Sequence, residues 1–240
     1  MRPDFRTARD FVPDLTRGEA IAGWIYLPIH ALVLPVLMSL LPLFWPWPIP
    51  SLAVLNVWYL GIGLVFTAVF FRRLLRREFD RLCDHIGESL MAFIMAYFVW
   101  YMLSVLVQLL LTAWGISVPE NPNDASIMEL AGDQRGTTMV VAVFMAPILE
   151  EVLFRGVVFQ SIRKKSRVAA YAVSMTLFAL LHIWSYALIA WDATVLLYAL
   201  QYVPITLALT WSYERSGSLW VPIFFHMFNN LLPFLLPAAA

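Results

Sequence analysis

Six ionisable side chains fall inside long apolar runs of this sequence: His30, Glu150, Glu151, Arg155, His182 and His226. A charge at the centre of a membrane-spanning helix costs about 2.5–3.5 kcal/mol on insertion scales, so such groups are functional candidates by default. The run TMVVAVFMAPILEEVLFRGVVF carries three of them. On a helix, Glu151 and Arg155 stack about 40° apart round the axis, whereas Glu150 and Arg155 are about 140° apart. Arg155 can then neutralise Glu151 and leave Glu150 facing another sector, where it can act as a general base if water reaches it. The plain alternative is an architectural Glu–Arg pair that holds helices together. That alternative accounts for Glu151 and Arg155 and leaves Glu150 without a role.

Two further runs carry the remaining candidates. FALLH places Phe178 one turn before His182. A lone histidine in an apolar helix serves either as a hydrogen-bonded core residue or as a titratable catalytic group, and its own run does not choose between them. LWVPIFFHMFNNLL places His226 and Asn230 four apart on one face, with Asn229 turned away by about 100°. Such a pair supplies adjacent hydrogen-bond donors suited to an oxyanion, or an interhelical hydrogen bond of modest strength. Counted from the basic ends of their runs, Glu150, His182 and His226 lie within roughly 10 Å of one another in depth. They form a potential constellation of base, charge-balanced neighbour, second titratable group and two donors. His30 has no companion motif and reads as a core or pore-facing residue.

The elements that must position these groups follow from composition. The chain has 240 residues, 61% hydrophobic and only 13% charged, about half the charge fraction of a soluble domain. The apolar residues come in continuous runs of roughly 20, the length of a bilayer-crossing helix. Lipid admits only helices or closed barrels, and unbroken runs exclude the alternating pattern of a barrel. The expected fold is all-α: a polytopic bundle of about seven spans, eight being the alternative. The spans fall near 22–45, 51–71, 89–114, 138–160, 168–190, 192–212 and 219–236, with only Trp191-Asp192 separating the fifth from the sixth. The whole chain, 1–240, reads as one integral membrane domain behind a tail over 1–21.

Basic residues set the orientation. The tail, 72–88, 161–167 and 213–218 carry 14 of the 16 lysines and arginines, all on one side of a seven-span arrangement. The other side has only Arg135, and Arg155 is intramembrane. The positive-inside rule puts the N-terminus in the cytoplasm. Trp45, Trp47, Trp114, Trp191, Trp211 and Trp220 lie near span ends, as interfacial indoles do. Pro28, Pro35 and Pro42 recur on one face of the first span and should kink it. Segment 72–88 reads either as an amphipathic helix on the inner surface or as a charged loop. Segment 115–137, which contains Pro119, Pro122, Gly132 and Gly136, reads as a solvated outer loop or lid. No cleavable signal peptide is evident in the polar first 20 residues. Nothing suggests nucleic-acid binding, and the single cysteine, Cys83, cannot form an intramolecular disulfide or by itself a metal site.

Taken in order, Glu150-Glu151-x-x-x-Arg155, Phe178-x-x-x-His182 and His226-x-x-x-Asn230 on separate spans resemble the CAAX-protease and bacteriocin-processing family of intramembrane glutamate proteases, which includes the type II CAAX prenyl endopeptidases. The lead-in Gly217-Ser218-Leu219-Trp220-x-Pro222 is similar as well. The resemblance covers about 138–236, which would be the catalytic core. It implies that Glu150 and His182 activate a water, that His226 and Asn230 bind the oxyanion, and that Glu151 with Arg155 supports the site. It implies no cofactor and no metal. It also implies a membrane-anchored protein or peptide as substrate within the lipid bilayer. Small size and compact connections point to a bacterial inner membrane. Rival readings are a zinc metalloprotease, although there is no H-E-x-x-H, and a non-catalytic scaffold or proton-coupled carrier, although no internal repeat is visible.

Overall fold

The computed structural model describes residues 11–45, 47–117, 120–189 and 193–235. Eight helices follow one another, with no strand among the described residues: α1 Arg17–Phe44, α2 Leu52–Phe70, α3 Arg72–Asp84, α4 Ile86–Ala113, α5 Pro122–Arg163, α6 Arg167–Ile189, α7 Ala193–Ser216 and α8 Trp220–Leu235. Their starts obey local chemistry. Thr16 and Glu19 form a reciprocal capping box at α1, Ser51 caps α2, and Asn121 caps α5 ahead of Pro122. Gly115 and Gly217 take positive φ after α4 and α7, a conformation that glycine alone adopts without cost.

All seven expected spans correspond to helices. Six are long and apolar enough to cross a membrane. The described part of α8 has 16 residues, about 24 Å of helix, shorter than a ~30 Å hydrocarbon core. The connection Trp191-Asp192 and residues 1–10 of the N-terminal tail lie outside the described residues. One expectation is corrected and one open alternative is resolved. Segment 115–137 is not a solvated loop: helix begins at Pro122 and runs on into the fourth span, broken by a non-helical Gln134 (φ −136°, ψ 55°). Residues 72–84 are helical, so the amphipathic reading of that stretch holds. The tail is no free appendage where it is described, because Phe11 and Leu15 are buried.

α5 is the hub. In its membrane window 61% of residues are buried, against 11–39% in the other five spans. The reason is polar: lipid cannot solvate Glu150, Glu151 and Arg155, so the helix that carries them must be wrapped by others. α1, α2, α6, α7 and α8 all touch it. Gly23 and Gly63 permit the close approach of α1 and α2, since a Cβ there would overlap Val157 and Leu149 respectively. α4 and α7 pack along small buried residues, Ala92 and Ala96 on one and Ala208 on the other. The outward faces of α1, α2 and α4 expose Ile25, Leu32, Val65, Ile94, Leu109 and other large apolar side chains, a surface that lipid would cover.

All the basic connections meet at one end. Arg77 and Arg81 of α3 bind Asp14 of the tail, Lys164 donates to the Leu15 carbonyl, and Arg163 and Arg167 bind Glu214. The odd span count behind the charge asymmetry requires this convergence.

Candidate active site

The helix that carries Glu150 is irregular on both sides of it. Pro28 in α1 and Pro147 in α5 each adjoin a π-turn, at Ile29–Val33 and Val140–Met145, and a third π-turn covers Val152–Phe159. Such turns cluster at functional sites. In the second of them the Ala146 N–H bonds back five residues to the Val141 carbonyl. The next bond in that register would join residue 147 to Ala142, but Pro147 has no N–H. The Ala142 carbonyl is therefore left for a side chain, and Asn230 Nδ2 donates to it at 2.9 Å.

Glu150 is 8% exposed, and its Oε2 lies 3.9 Å from Nε2 of His182 and 3.9 Å from Nε2 of His226. Each imidazole is oriented by its other nitrogen. His182 Nδ1 is 2.9 Å from the Phe178 carbonyl, which can only accept, so Nδ1 carries the hydrogen and Nε2 is turned to Glu150. That ring is clamped between Phe178 and Tyr202, at centroid distances of 4.6 and 4.8 Å. His226 Nδ1 is 2.9 Å from Glu151 Oε1. The same oxygen accepts from Arg155 Nη1 at 3.0 Å. Arg155 is fully buried, donates to the Thr206 carbonyl and lies over the Phe178 ring. Phe178 thus supports both the cation and the histidine one turn further on.

The sequence-predicted residues are brought together with one distinction. Glu150, Glu151, Arg155, His182 and His226 form a contiguous polar cluster on α5, α6 and α8. Asn230 is half-buried and is fixed to Ala142, with no hydrogen bond to the other five. The helical-wheel expectation holds: Arg155 pairs with Glu151, and Glu150 faces the histidines. Three contributors were not anticipated. They are Tyr202, whose hydroxyl donates to Asn121 Oδ1, and the carbonyls of Thr206 and Ala142. Pro147, five residues after Ala142, was the available signal for the last. His30 has a structural environment of its own, with Nε2 2.9 Å from the Tyr59 hydroxyl and its ring stacked on Tyr26 and Tyr59. Among the described residues no three His, Cys, Asp or Glu side chains converge as a metal site.

Fold and site together define a class: an integral membrane protein, all-α, with a buried glutamate–histidine cluster where three of its helices meet. Residues 135–232 match the family model described as Type II CAAX prenyl endopeptidase Rce1-like. The match spans less than half of the chain, and it supports the similarity of this segment to the CAAX-protease and bacteriocin-processing family. Comparison with curated proteins and with solved structures gives no match. The matched segment holds Glu150, Glu151, Arg155, His182, His226 and Asn230.

Proposed function

We propose that this protein hydrolyses a peptide bond of a membrane-associated protein or peptide, using a water activated by Glu150. One observation carries the reading: a single carboxylate oxygen stands 3.9 Å from each of two Nε2 atoms. That interval is too long for a direct hydrogen bond, yet it suits one water oxygen bonded to Glu150 and His182 together. In the first step the water oxygen bonds to the scissile carbonyl carbon and its proton passes to Glu150. The carbonyl oxygen becomes an oxyanion, stabilised by donors from His226 Nε2 and Asn230 Nδ2. In that role His226 carries hydrogen on both nitrogens, with Nδ1 held by Glu151. Collapse breaks the C–N bond, and Glu150 returns its proton to the departing amine.

Glu151 and Arg155 act by placement. Arg155 balances the Glu151 charge in a site that lipid and protein close off, and Glu151 aims His226 at the reacting atoms. The family name suggests a prenylated C-terminus as one substrate, and a lipid-anchored or leader peptide would meet the same membrane-embedded geometry. The protein acts in this reading at a bacterial inner membrane. The deciding experiment is Glu150→Gln assayed on a membrane-anchored peptide reporter. Cleavage should fall by at least ~100-fold, the scale of lost general-base catalysis, with the thermal midpoint of the purified protein unchanged. Wild-type-like cleavage would remove Glu150 from the chemistry.

A further inference from the structure

Helix α3 faces two ways. Its inner face is spent on the protein. Leu74 and Glu78 are fully buried, Arg77 binds Asp14 and Glu19, and Arg81 binds Asp14 and Glu78. The same face seats the start of α8. Glu78 accepts from the Leu219 N–H and from Ser218 Oγ, and the Trp220 indole donates to the Leu75 carbonyl. Its outer face presents Arg72, Arg73 and Arg76, all exposed, with no ion pair or hydrogen bond to any described residue.

Three unpaired guanidiniums in the first turns of a helix repel one another and oppose the positive end of the helix dipole. Of the acids at this end of the molecule, Asp14, Glu19, Glu78 and Glu214 are engaged by other arginines, and Asp80, exposed on the same helix one turn after Arg76, forms no ion pair with the trio. The location settles which anion can meet the trio. α3 joins α2 to α4 through single residues, Phe71 and His85, so both its ends are tied to spans at the bilayer surface. On a helical wheel Phe79 falls within about 60° of Arg72 and Arg76. Phe79 is 46% exposed and contacts Trp220, which in turn contacts Phe224, also exposed. A cationic face bordered by such an aromatic row matches the boundary between headgroups and acyl chains.

We infer that the outer face of α3 is a docking surface for anionic phospholipid headgroups, with Arg72, Arg73 and Arg76 contacting the phosphates and Phe79 and Trp220 lying at the acyl boundary. Because the opposite face holds the first turn of α8, two turns before His226, lipid bound there braces the helix that carries two residues of the proposed site.

The test follows thermal unfolding of the full chain in a neutral detergent during titration with dioleoylphosphatidylglycerol, dioleoylphosphatidylcholine or inorganic phosphate. Phosphatidylglycerol should raise the wild-type midpoint by about 3 °C or more, and phosphatidylcholine and phosphate should not. The rise should disappear in R72Q/R73Q/R76Q and return in R72K/R73K/R76K. In the wild type it should collapse in 0.5 M salt, on the order of 4–5 Å of Debye length, a readout that needs no variant. An equal rise with phosphatidylcholine, or an undiminished rise in the glutamine variant or in high salt, would overturn the inference. A rise with inorganic phosphate alone would overturn the lipid as the source.

Discussion

The site is decided by a handful of single-atom relations. Glu151 Oε1 serves two donors, Arg155 and His226, and this makes the second glutamate a steering group for a histidine 75 positions away. The Glu151–Arg155 half was legible in the sequence, because a four-residue spacing fixes it locally. The His226 half was not, because nothing in a linear pattern states which helix approaches. Pro147 is the least conspicuous residue of the set, and its effect is subtractive: it withholds the N–H that would otherwise bind Ala142 and so leaves that carbonyl to Asn230. Pro147→Ala restores the donor and regularises the turn. We expect reporter cleavage to fall by about tenfold as Asn230 loses its anchor, while the midpoint stays level or rises. Cleavage kinetics and calorimetry on the same preparation check both parts.

At the level of elements, α3 and the starts of α5 and α8 do the positioning. Glu78 ties α3 to α8, and burial pushes its carboxyl up from 4.5 to about 7, with the Arg81 guanidinium opposing the rise. The sign of the pH effect follows. Between about 4.5 and 7 the folded chain holds a proton that the unfolded chain has released, so stability from this group declines as pH climbs through that window. The thermal midpoint should therefore be higher at pH 5.5 than at pH 8, and Glu78→Gln should flatten that difference. A pH dependence of equal size in the variant would assign it to other groups. The outer half of α5 shows where composition misled. Prolines, glycines and acids made 115–137 look like loop. Yet Asn121 and Pro122 are a helix start, and contacts such as Ser126 with Tyr186 and Ser51 with Gln134 hold the turns in place. Tertiary contacts outweighed weak propensity there.

Taken whole, the molecule is a bundle wrapped round α5, with its basic residues gathered at one end. By the positive-inside rule that end is expected to face the cytoplasm, and the sole cysteine, Cys83, sits there exposed on α3. A membrane-impermeant maleimide should label the protein in inverted vesicles and not in right-side-out ones. The opposite pattern would reverse the topology. The sequence by itself determined the seven apolar spans, the polar groups that had to face inward and the Glu151–Arg155 pair, while the outer part of α5 escaped it. All of these follow from short-range spacing and from the cost of polarity in lipid. Only the tertiary structure decided that Glu150 meets His182 and His226 at one oxygen, that Glu151 aims His226, and that Ala142 anchors Asn230. Those contacts join α5 to α6 and α8 at a stretch flanked by π-turns, and the rotation such turns impose on a helix depends on what packs against it.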